Sequence, residues 1–300
     1  MPELPEAQTI ASDLDRALAG ARVKSTELLY RPTLAGPLAL SDLDGSAFEG
    51  ASRRGKCVIL AFGGGLRLLA SLRMTGQFVF GHSPVGAASP GGAGAGGAGE
   101  AEPRAGSRGK RVWPPHVRAA LVLEGFSGPD GEDSLMFRDI RKFGRLFVCR
   151  ASEEEFLLPA SAKGPDVTAI APGEFYRRLA SSKAPVKTLL MDQAAMAGLG
   201  NIYATEILFE AGISPFRPAS SIAREESDII LKAAGEILGE AVRMRGSTIS
   251  NYQAPLGPGS YQQRHRAYGK AGRPCPRCGR TLEKVRSSGR TTVYCPNCQR

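Results

Sequence analysis

The chain has 300 residues, an apolar fraction of 42% and a formal net charge of +10. This length predicts about two domains, and this apolar fraction predicts a packed core. No apolar run approaches the roughly 18 residues of a membrane span, and the first residues, MPELPEAQTI, carry acids where a secretory signal carries bases. We therefore expect a cytoplasmic protein without a membrane partner, and the positive charge favours a polyanion such as nucleic acid.

The first half of the chain is predicted to contain one helix and then a set of short strands. Pro5 suits the first helical position, and Ile10, Leu14 and Leu18 recur on one face, which predicts a helix over 5–19. Short apolar and β-branched runs bounded by glycine or polar residues are typical of an antiparallel sandwich, which we place at 1–150. The runs are CVILAF at 57–62, LRLLASL at 66–72, QFVF at 77–80, AALVLEG at 119–125 and RLFVC at 145–149.

A stretch rich in Gly, Ala and Pro interrupts these strands at about 81–110. Such a segment cannot bury enough apolar surface to offset the entropy lost on ordering it. We expect a flexible loop inserted between two strands, with no chemical role.

From about residue 151 the pattern becomes helical. We predict a linker at 151–168 and a helical domain at 169–263. GLGN at 198–201 is predicted as a tight turn, with Asn201 placed to cap the helix that follows. Helix pairs joined by such a turn occur in DNA-binding proteins, although most of them only pack together. The helices are expected near 172–182, 185–195, 201–211 and 221–244.

The cysteines near the end of the chain follow the spacing Cys-x2-Cys-x16-Cys-x2-Cys. Two such pairs supply four thiolates to a tetrahedral Zn²⁺ and leave no position for water, so we predict one structural zinc. The surrounding segment, 264–300, is predicted as a hairpin ribbon. It carries ten lysines and arginines and one acid, and this positive charge favours binding to phosphates. Cys57 and Cys149 lie alone in apolar runs and are expected to be buried hydrophobes. The zinc ligands are Cys275, Cys278, Cys295 and Cys298.

Six motifs occur in a fixed order along the chain: MPELPE at the start, RRGK at 53–56, LRMTG at 72–76, RDIRKFGRL at 138–146, LLMDQAAMAGLGNIYATEILFEAGISP at 189–215 and GRTTVYCPNCQR at the end. With them the chain closely resembles the bacterial formamidopyrimidine-DNA glycosylase family, apart from the Gly-rich stretch. The resemblance implies an α+β fold with an N-terminal β-sandwich flanked by helices, a helix–two-turn–helix domain and a zinc-ribbon hairpin. It implies a monomer that binds double-stranded DNA with a damaged base between its domains.

The resemblance also implies a reaction, the removal of oxidised purines such as 8-oxoguanine and formamidopyrimidines. Loss of Met1 exposes Pro2, whose α-amine has a pKa near roughly 8, so a fraction is neutral and nucleophilic. This amine attacks C1′ of the deoxyribose and becomes an iminium, from which β- and δ-elimination release both phosphates. Glu3 matches the acid/base partner. Glu6 either orients the terminal amine or is only an acid at a helix N-terminus.

Further matches to the family concern contacts with DNA. Lys56 resembles the lysine that contacts DNA near the lesion, and Arg290 and Asn201 resemble residues that grip the flanking phosphates. We group Lys56 and Arg290 with the catalytic residues. His116 and Lys187 are weaker matches, and for both an ordinary surface role is the alternative.

Three residues, Met74, Arg141 and Phe143, resemble those that fill the void left by an extruded base. Met and Phe suit the role of wedges between stacked bases, and Arg can hydrogen-bond the orphan base. On spacing alone, Met74 and Phe143 would instead be core residues. The segment 247–267 resembles the region that covers the lesion in the family.

The chain departs from the family at several positions. Ala7 and Gln8 replace a usual Val-Glu pair, Ser71 stands where a phosphate-contacting His is common, and Ile140 and Lys142 replace a common Pro and Arg. None of these positions holds the nucleophile, the acid/base or a metal ligand. They bear on affinity and lesion preference.

Three other functions remain open from the sequence. The related endonuclease VIII type prefers oxidised pyrimidines, but it commonly carries Gly where this chain has Leu4. A non-catalytic protein would bind damaged DNA between its domains but would not remove the base. The intact Pro2 and Glu3 disfavour this alternative. A zinc-ribbon nucleic-acid adaptor would leave the N-terminal motifs unexplained.

Overall fold

The computed structural model describes residues 2–84, 112–249, 253–287 and 289–300. Most of the Gly-rich stretch predicted at 81–110 lies outside these residues, and Gly81 ends a strand. In these ranges, no helix combines the length and the apolar character that a membrane span requires.

The N-terminal part is a sandwich of two sheets on which a helix, α1 (Leu4–Ala17), packs. Its sheets have the orders β1-β7-β8-β6 and β2-β9-β5-β4-β3, and paired strands are antiparallel except β2 with β9. The predicted sandwich is therefore confirmed. The strands are β1 (Arg22–Leu28), β2 (Leu34–Ala35), β3 (Phe48–Arg54), β4 (Cys57–Phe62), β5 (Leu66–Ser71), β6 (Gly76–Gly81), β7 (Val117–Glu124), β8 (Ser134–Asp139) and β9 (Arg145–Arg150).

Strand β4 shows why some of the runs are continuously apolar. Val58 and Leu60 point into the core between the sheets, whereas Cys57 packs with Cys149 and Leu158 on the opposite side. A strand buried on both faces needs no polar alternation. Burial raises the pKa of Cys57 to about 12 and that of Cys149 to about 11, so both thiols stay protonated, and the prediction of buried hydrophobes is confirmed.

The helices that follow build a second apolar core. Residues 202–209 are all buried, so the helix that contains them, α5 (Asn201–Ala211), passes through the centre of this domain. The predicted helix at 201–211 is confirmed, and those at 172–182 and 221–244 lie within a few residues of the observed bounds. The helices are α2 (Glu154–Leu157), α3 (Pro172–Ala180), α4 (Val186–Leu190), α5 (Asn201–Ala211) and α6 (Arg224–Arg243).

Helix α4 is shorter than the predicted helix at 185–195. The side chain of Asp192 accepts a hydrogen bond from the backbone N–H of Ala194 at 2.9 Å, and Gln193 accepts one from Gly198 at 3.1 Å. Polar side chains that capture nearby backbone groups compete with helical hydrogen bonds. The predicted C-terminal half of this helix is therefore a turn, and the prediction was wrong there.

The ribbon hairpin consists of β10 (Glu283–Ser287) and β11 (Arg290–Tyr294), which pair antiparallel as predicted. Arg277, within the first cysteine pair, joins the ribbon to α5. It donates to the carbonyls of Phe209 at 2.9 Å and Glu210 at 2.8 Å, and its guanidinium lies 5.0 Å from the centre of the Phe209 ring. The C-terminal carbonyls of α5 thus gain partners that the helix itself cannot supply.

The start of the chain inserts between the two cores. Leu4 belongs to the helical core, and its backbone N–H donates to the carbonyl of Gly198 at 3.0 Å. Gly198 has a φ of +111°, and a Cβ there would lie 2.6 Å from Cδ1 of Leu4. Only glycine fits this turn. The residues before Leu4 are therefore fixed at the boundary between the domains.

Candidate active site

A cavity of about 170 Å³ lies where the sandwich, the helical domain and the ribbon meet. The sandwich side supplies Pro2, Lys56 and Ser71, the helical domain supplies Gly200, and the ribbon supplies Arg290. The fold thus brings Pro2, Lys56 and Arg290, which are far apart in sequence, to one concave site. Of the groups that the sequence assigned to catalysis, these three line the cavity itself.

Glu3 is bound by the N-terminus of α5. Its carboxylate accepts hydrogen bonds from the backbone N–H groups of Gly200 at 2.8 Å, Ile202 at 3.0 Å and Tyr203 at 3.3 Å. These are donors that the first turn of a helix leaves without partners, and the helix dipole favours negative charge there. The carboxylate is therefore fixed in place beside Pro2 by the opposite domain.

This arrangement corrects the prediction that Asn201 caps α5. Gly200 occupies the N-cap position and Asn201 is the first helical residue, while the Glu3 carboxylate serves as the capping acceptor. Gly200 must be glycine, because a Cβ there would lie 2.3 Å from Cδ of Glu3. The cap was assigned wrongly because a side chain from a distant part of the sequence occupies its place.

Glu6 is the acid at the N-terminus of α1 and also contacts the helical domain. Its Oε2 accepts the backbone N–H of Glu3 at 2.8 Å, which completes a capping box at the start of α1. Its Oε1 accepts the Tyr203 hydroxyl at 2.6 Å and the backbone N–H of Ser247 at 2.7 Å. Burial, and then the nearby Glu3 carboxylate, raise the pKa of Glu6. Glu6 therefore fixes the peptide that follows Pro2.

Two buried lysines lie at or near the cavity, and only Lys56 lines it. Lys56 is 7% exposed, and its pKa is lowered first by burial and then by Arg290. Lys187 is 3% exposed and donates to the hydroxyl of Thr292 at 2.9 Å, and burial lowers its pKa to about 8. The surface alternative for Lys187 is therefore wrong, because the residue joins α4 to the ribbon.

Asn201 lies beside Arg290 in the folded chain. Its Nδ2 donates to the carbonyl of Thr291 at 3.1 Å, which joins the start of α5 to β11. Arg290 is exposed and faces the cavity. The two residues predicted to contact flanking phosphates are therefore close in the folded chain, and their contact with phosphate stays a prediction.

Met74, Arg141 and Phe143 form one exposed cluster on the sandwich. Met74 is 48% exposed and Phe143 is 50% exposed, so the core alternative for both is wrong. Nη1 of Arg141 lies 3.1 Å from Sδ of Met74, and its guanidinium lies 5.0 Å from the centre of the Phe143 ring. Exposed apolar side chains around a cation suit insertion into a base stack.

His116 lies on the sandwich, outside the cavity. It is exposed, has a φ of +70° and does not line the cavity, and its carbonyl accepts the N–H of Asp139 at 2.9 Å. Nearby, the ammonium of Lys142 lies 4.9 Å from the centre of the Tyr30 ring. The role of His116 in DNA binding stays a prediction.

The four ribbon cysteines have the geometry of a zinc site. Their sulfur atoms lie within 4.8 Å of one another, with 3.9 Å between Cys275 and Cys298 and 3.6 Å between Cys278 and Cys295. A tetrahedral site with Zn–S distances of about 2.3 Å requires S···S separations of about 3.8 Å. These residues therefore fit one structural Zn²⁺, which holds the hairpin together and leaves no position for substrate.

Comparison with known proteins agrees with this geometry. The profile of the formamidopyrimidine-DNA glycosylase N-terminal domain matches residues 1–146, its H2TH domain matches 162–253, and a zinc finger found in FPG and IleRS matches 272–300. The formamidopyrimidine-DNA glycosylase of Thermus thermophilus is 39% identical over 100% of this chain and 98% of its own length. The chain belongs to the formamidopyrimidine-DNA glycosylase family. The predicted DNA-glycosylase class and the structural zinc are confirmed with it.

Solved structures of the family have the same fold. The crystal structure of MutM (Fpg) from Thermus thermophilus matches with a TM-score of 0.79 and 37% identity, over 99% of this chain and 98% of that one. A Lactococcus lactis Fpg mutant in complex with DNA containing Fapy-dG matches with a TM-score of 0.81 and 29% identity, over 99% of both chains. The expected fold class is thereby confirmed.

Three polar residues around Glu6 were missed by sequence reasoning. Tyr203, Ser247 and His265 are buried and hydrogen-bonded close to the site. Tyr203 lies inside the GNIYATE motif, but nothing in its spacing indicates that its hydroxyl faces a carboxylate. Ser247 and His265 lie in the segment 247–267, whose residue contacts the pattern alone could not assign.

Proposed function

We propose that this chain removes oxidised purines from double-stranded DNA and then cleaves the abasic site, with the Pro2 amine as nucleophile. The observation that carries the proposal is the convergence of Pro2, Lys56 and Arg290 in one cavity, beside a Glu3 carboxylate held by a helix N-terminus. DNA binds in this proposal across the Met74, Arg141 and Phe143 cluster. The enzyme is proposed to act as a monomer in the cytoplasm.

The fixed positions of Pro2 and Glu3 suit a two-stage reaction. The neutral Pro2 amine attacks C1′, the bond from C1′ to the base breaks, and the base leaves as an anion that takes a proton from water. Glu3 takes the amine proton and passes it to the ring oxygen, so that the C1′–O4′ bond opens and an iminium forms. The iminium acidifies C2′–H, and β-elimination followed by δ-elimination releases the two phosphates, which Lys56 and Arg290 are placed to bind.

The assignment to purines is supported by the curated relatives, which are named formamidopyrimidine-DNA glycosylases, since a formamidopyrimidine is a ring-opened purine. Lactococcus lactis Fpg is described in complex with DNA that contains Fapy-dG, an oxidised purine, and its wild-type form is also described with DNA that contains an oxidised pyrimidine. The pyrimidine alternative is therefore best tested directly, by comparing excision of 8-oxoguanine and thymine glycol from matched duplexes. Faster excision of thymine glycol would replace the purine proposal.

Borohydride trapping tests the nucleophile. The wild-type protein is expected to form a covalent complex with an oligonucleotide containing 8-oxoguanine, because borohydride reduces the iminium to a stable amine. Pro2→Gly should lose most of this complex, since its terminal primary amine lacks the ring that fixes the nitrogen. A folded, zinc-loaded wild type that traps neither 8-oxoguanine nor an abasic site would leave only the non-catalytic DNA-binding alternative.

Salt dependence tests the DNA-binding surface. Binding through several phosphate contacts releases counterions, so affinity should fall about 10³-fold or more between about 50 and 200 mM salt if six or more contacts form. The measurement is the dissociation constant of an undamaged duplex at four salt concentrations. A flat response would contradict DNA binding in a cleft lined by Lys56 and Arg290.

A further inference from the structure

A buried chain of hydrogen bonds connects the start of the catalytic domain to the start of the ribbon. The Tyr203 hydroxyl donates to Glu6 at 2.6 Å, the hydroxyl oxygens of Tyr203 and Ser247 lie 3.4 Å apart, and Oγ of Ser247 lies 2.9 Å from Nε2 of His265. The four residues come from α1, α5 and the two ends of the segment after α6. Each is less than one-tenth exposed.

The chemistry of these groups fixes which atom donates and which accepts in each hydrogen bond of this series. A carboxylate only accepts hydrogen bonds. Burial, and then the Glu6 carboxylate, raise the pKa of Tyr203, so its hydroxyl stays protonated and donates to Glu6. Tyr203 can then only accept from Ser247. With the imidazole proton on Nε2, His265 donates to Ser247, Ser247 donates to Tyr203, and all the bonds run toward Glu6, which strengthens each of them.

His265 is held rigidly at the end of the hydrogen-bond series that is farthest from Glu6. Its ring packs edge-on against the rings of Tyr261 and Tyr268, with centroid distances of 5.7 Å and 5.5 Å. Burial, together with Lys270, lowers its pKa to about 4, so the ring is neutral at neutral pH. A neutral imidazole with its proton on Nε2 can donate to Ser247, as this series of hydrogen bonds requires.

Ser247 also contacts Glu6 directly. Its backbone N–H donates to Oε1 of Glu6 at 2.7 Å, and the preceding Gly246 leaves no room for a Cβ, which would lie 2.7 Å from the same oxygen. The turn is fixed from the other side, because Tyr261 donates its N–H to the carbonyl of Gly246 at 3.0 Å. Glu6 in turn accepts the N–H of Glu3, the residue that follows Pro2.

We propose that Ser247 and His265 are positioning residues, which fix Glu6 and through it the Pro2–Glu3 peptide that carries the nucleophile. The inference rests on the proposed function of Pro2. Neither residue lines the cavity that holds Pro2 and Lys56. Their effect is therefore on the geometry of attack and not on binding of the DNA.

The test is the rate of borohydride trapping on a duplex with a preformed abasic site, with protein in excess. A displacement of about 1 Å can cost about 100-fold in rate, so His265→Leu and Ser247→Ala should each slow trapping by about 10- to 100-fold. Affinity for a duplex with a tetrahydrofuran abasic analogue, which cannot form the iminium, should stay at the wild-type value. Exposed Ser220, in the turn before α6, provides the matched control for Ser247→Ala as Ser220→Ala.

Two further variants separate positioning from loss of structure. His265→Gln keeps a polar group near the position of Nε2 and should recover most of the trapping rate. The double variant Ser247→Ala with His265→Leu should be no slower than the slower single variant, because both remove the same connection. If His265→Leu does not fold, the smaller Ser247→Ala change measures the same connection.

The outcomes are distinguishable. Trapping by both single variants at the wild-type rate would overturn the inference while leaving the proposed function intact. Parallel losses of rate and of affinity for the analogue, without recovery in His265→Gln, would assign a structural role alone and also overturn it. A wild-type protein that does not trap would overturn the proposed chemistry, and this inference with it.

Discussion

Replacement of Glu3 by Gln is expected to slow excision of 8-oxoguanine by about 10²- to 10⁴-fold, the usual contribution of a positioned acid or base. The amide cannot take the proton of the Pro2 amine or pass one to the sugar ring oxygen. Trapping at a preformed abasic site should be affected less, because its sugar already opens to an aldehyde in solution. The measurement is the single-turnover rate on each of the two substrates.

The same variant should also be less stable. Both oxygens of Glu3 accept N–H groups at the start of α5, and a Gln side chain must turn its NH₂ group toward one of those donors. An unmade buried hydrogen bond costs about 1–3 kcal/mol, so the melting temperature should fall. Glu49→Gln, an exposed acid on the sandwich, is the matched control and should change neither property. Excision by a folded Glu3→Gln protein at the wild-type rate would remove Glu3 from the mechanism.

Sequence patterns within single segments were enough to predict some of the helices and strands. The apolar, β-branched run of β4 predicted a strand, and the turn at GLGN followed by a helical pattern predicted α5. Strands β1 and β3 gave weaker signals because most of their residues are only partly buried and several are charged. The prediction was wrong for the end of the helix at 185–195, because Asp192 and Gln193 form hydrogen bonds that helical periodicity does not reveal.

Sequence motifs predicted most residues of the candidate site. The sequence could not predict how these residues are arranged in the folded chain. The spacing of the cysteines indicates zinc because both pairs lie close in sequence. Glu3 and the start of α5, by contrast, are about 200 residues apart, and only the folded chain shows that one caps the other. The buried position of Lys187 and the connection from Glu6 to His265 likewise depend on contacts between domains. Such contacts leave no periodic trace in the sequence.

Loss of one zinc ligand, in Cys295→Ser, is expected to abolish stoichiometric zinc binding and to weaken DNA binding. Cys295 is fully buried, and a serine hydroxyl is a poor substitute for a thiolate ligand. Without zinc the short hairpin has little core of its own, and it carries Arg290 and the partners of Asn201 and Lys187. Affinity for duplex DNA should fall at least tenfold, or about 1.4 kcal/mol.

The matched control for this variant is Cys149→Ser. It makes the same chemical change at a cysteine that is equally buried but lies in the sandwich, 0% exposed. The control should lose stability, because it buries a hydroxyl in an apolar cluster, yet it should keep one zinc per chain and wild-type affinity for DNA. Since each phosphate contact contributes about one to the slope of log K against log salt, Cys295→Ser should also reduce that slope. If Cys295→Ser lost its zinc but kept both its affinity and its salt slope, the ribbon would have no part in holding DNA, and the phosphate site would have to be assigned to the sandwich and helical domain alone.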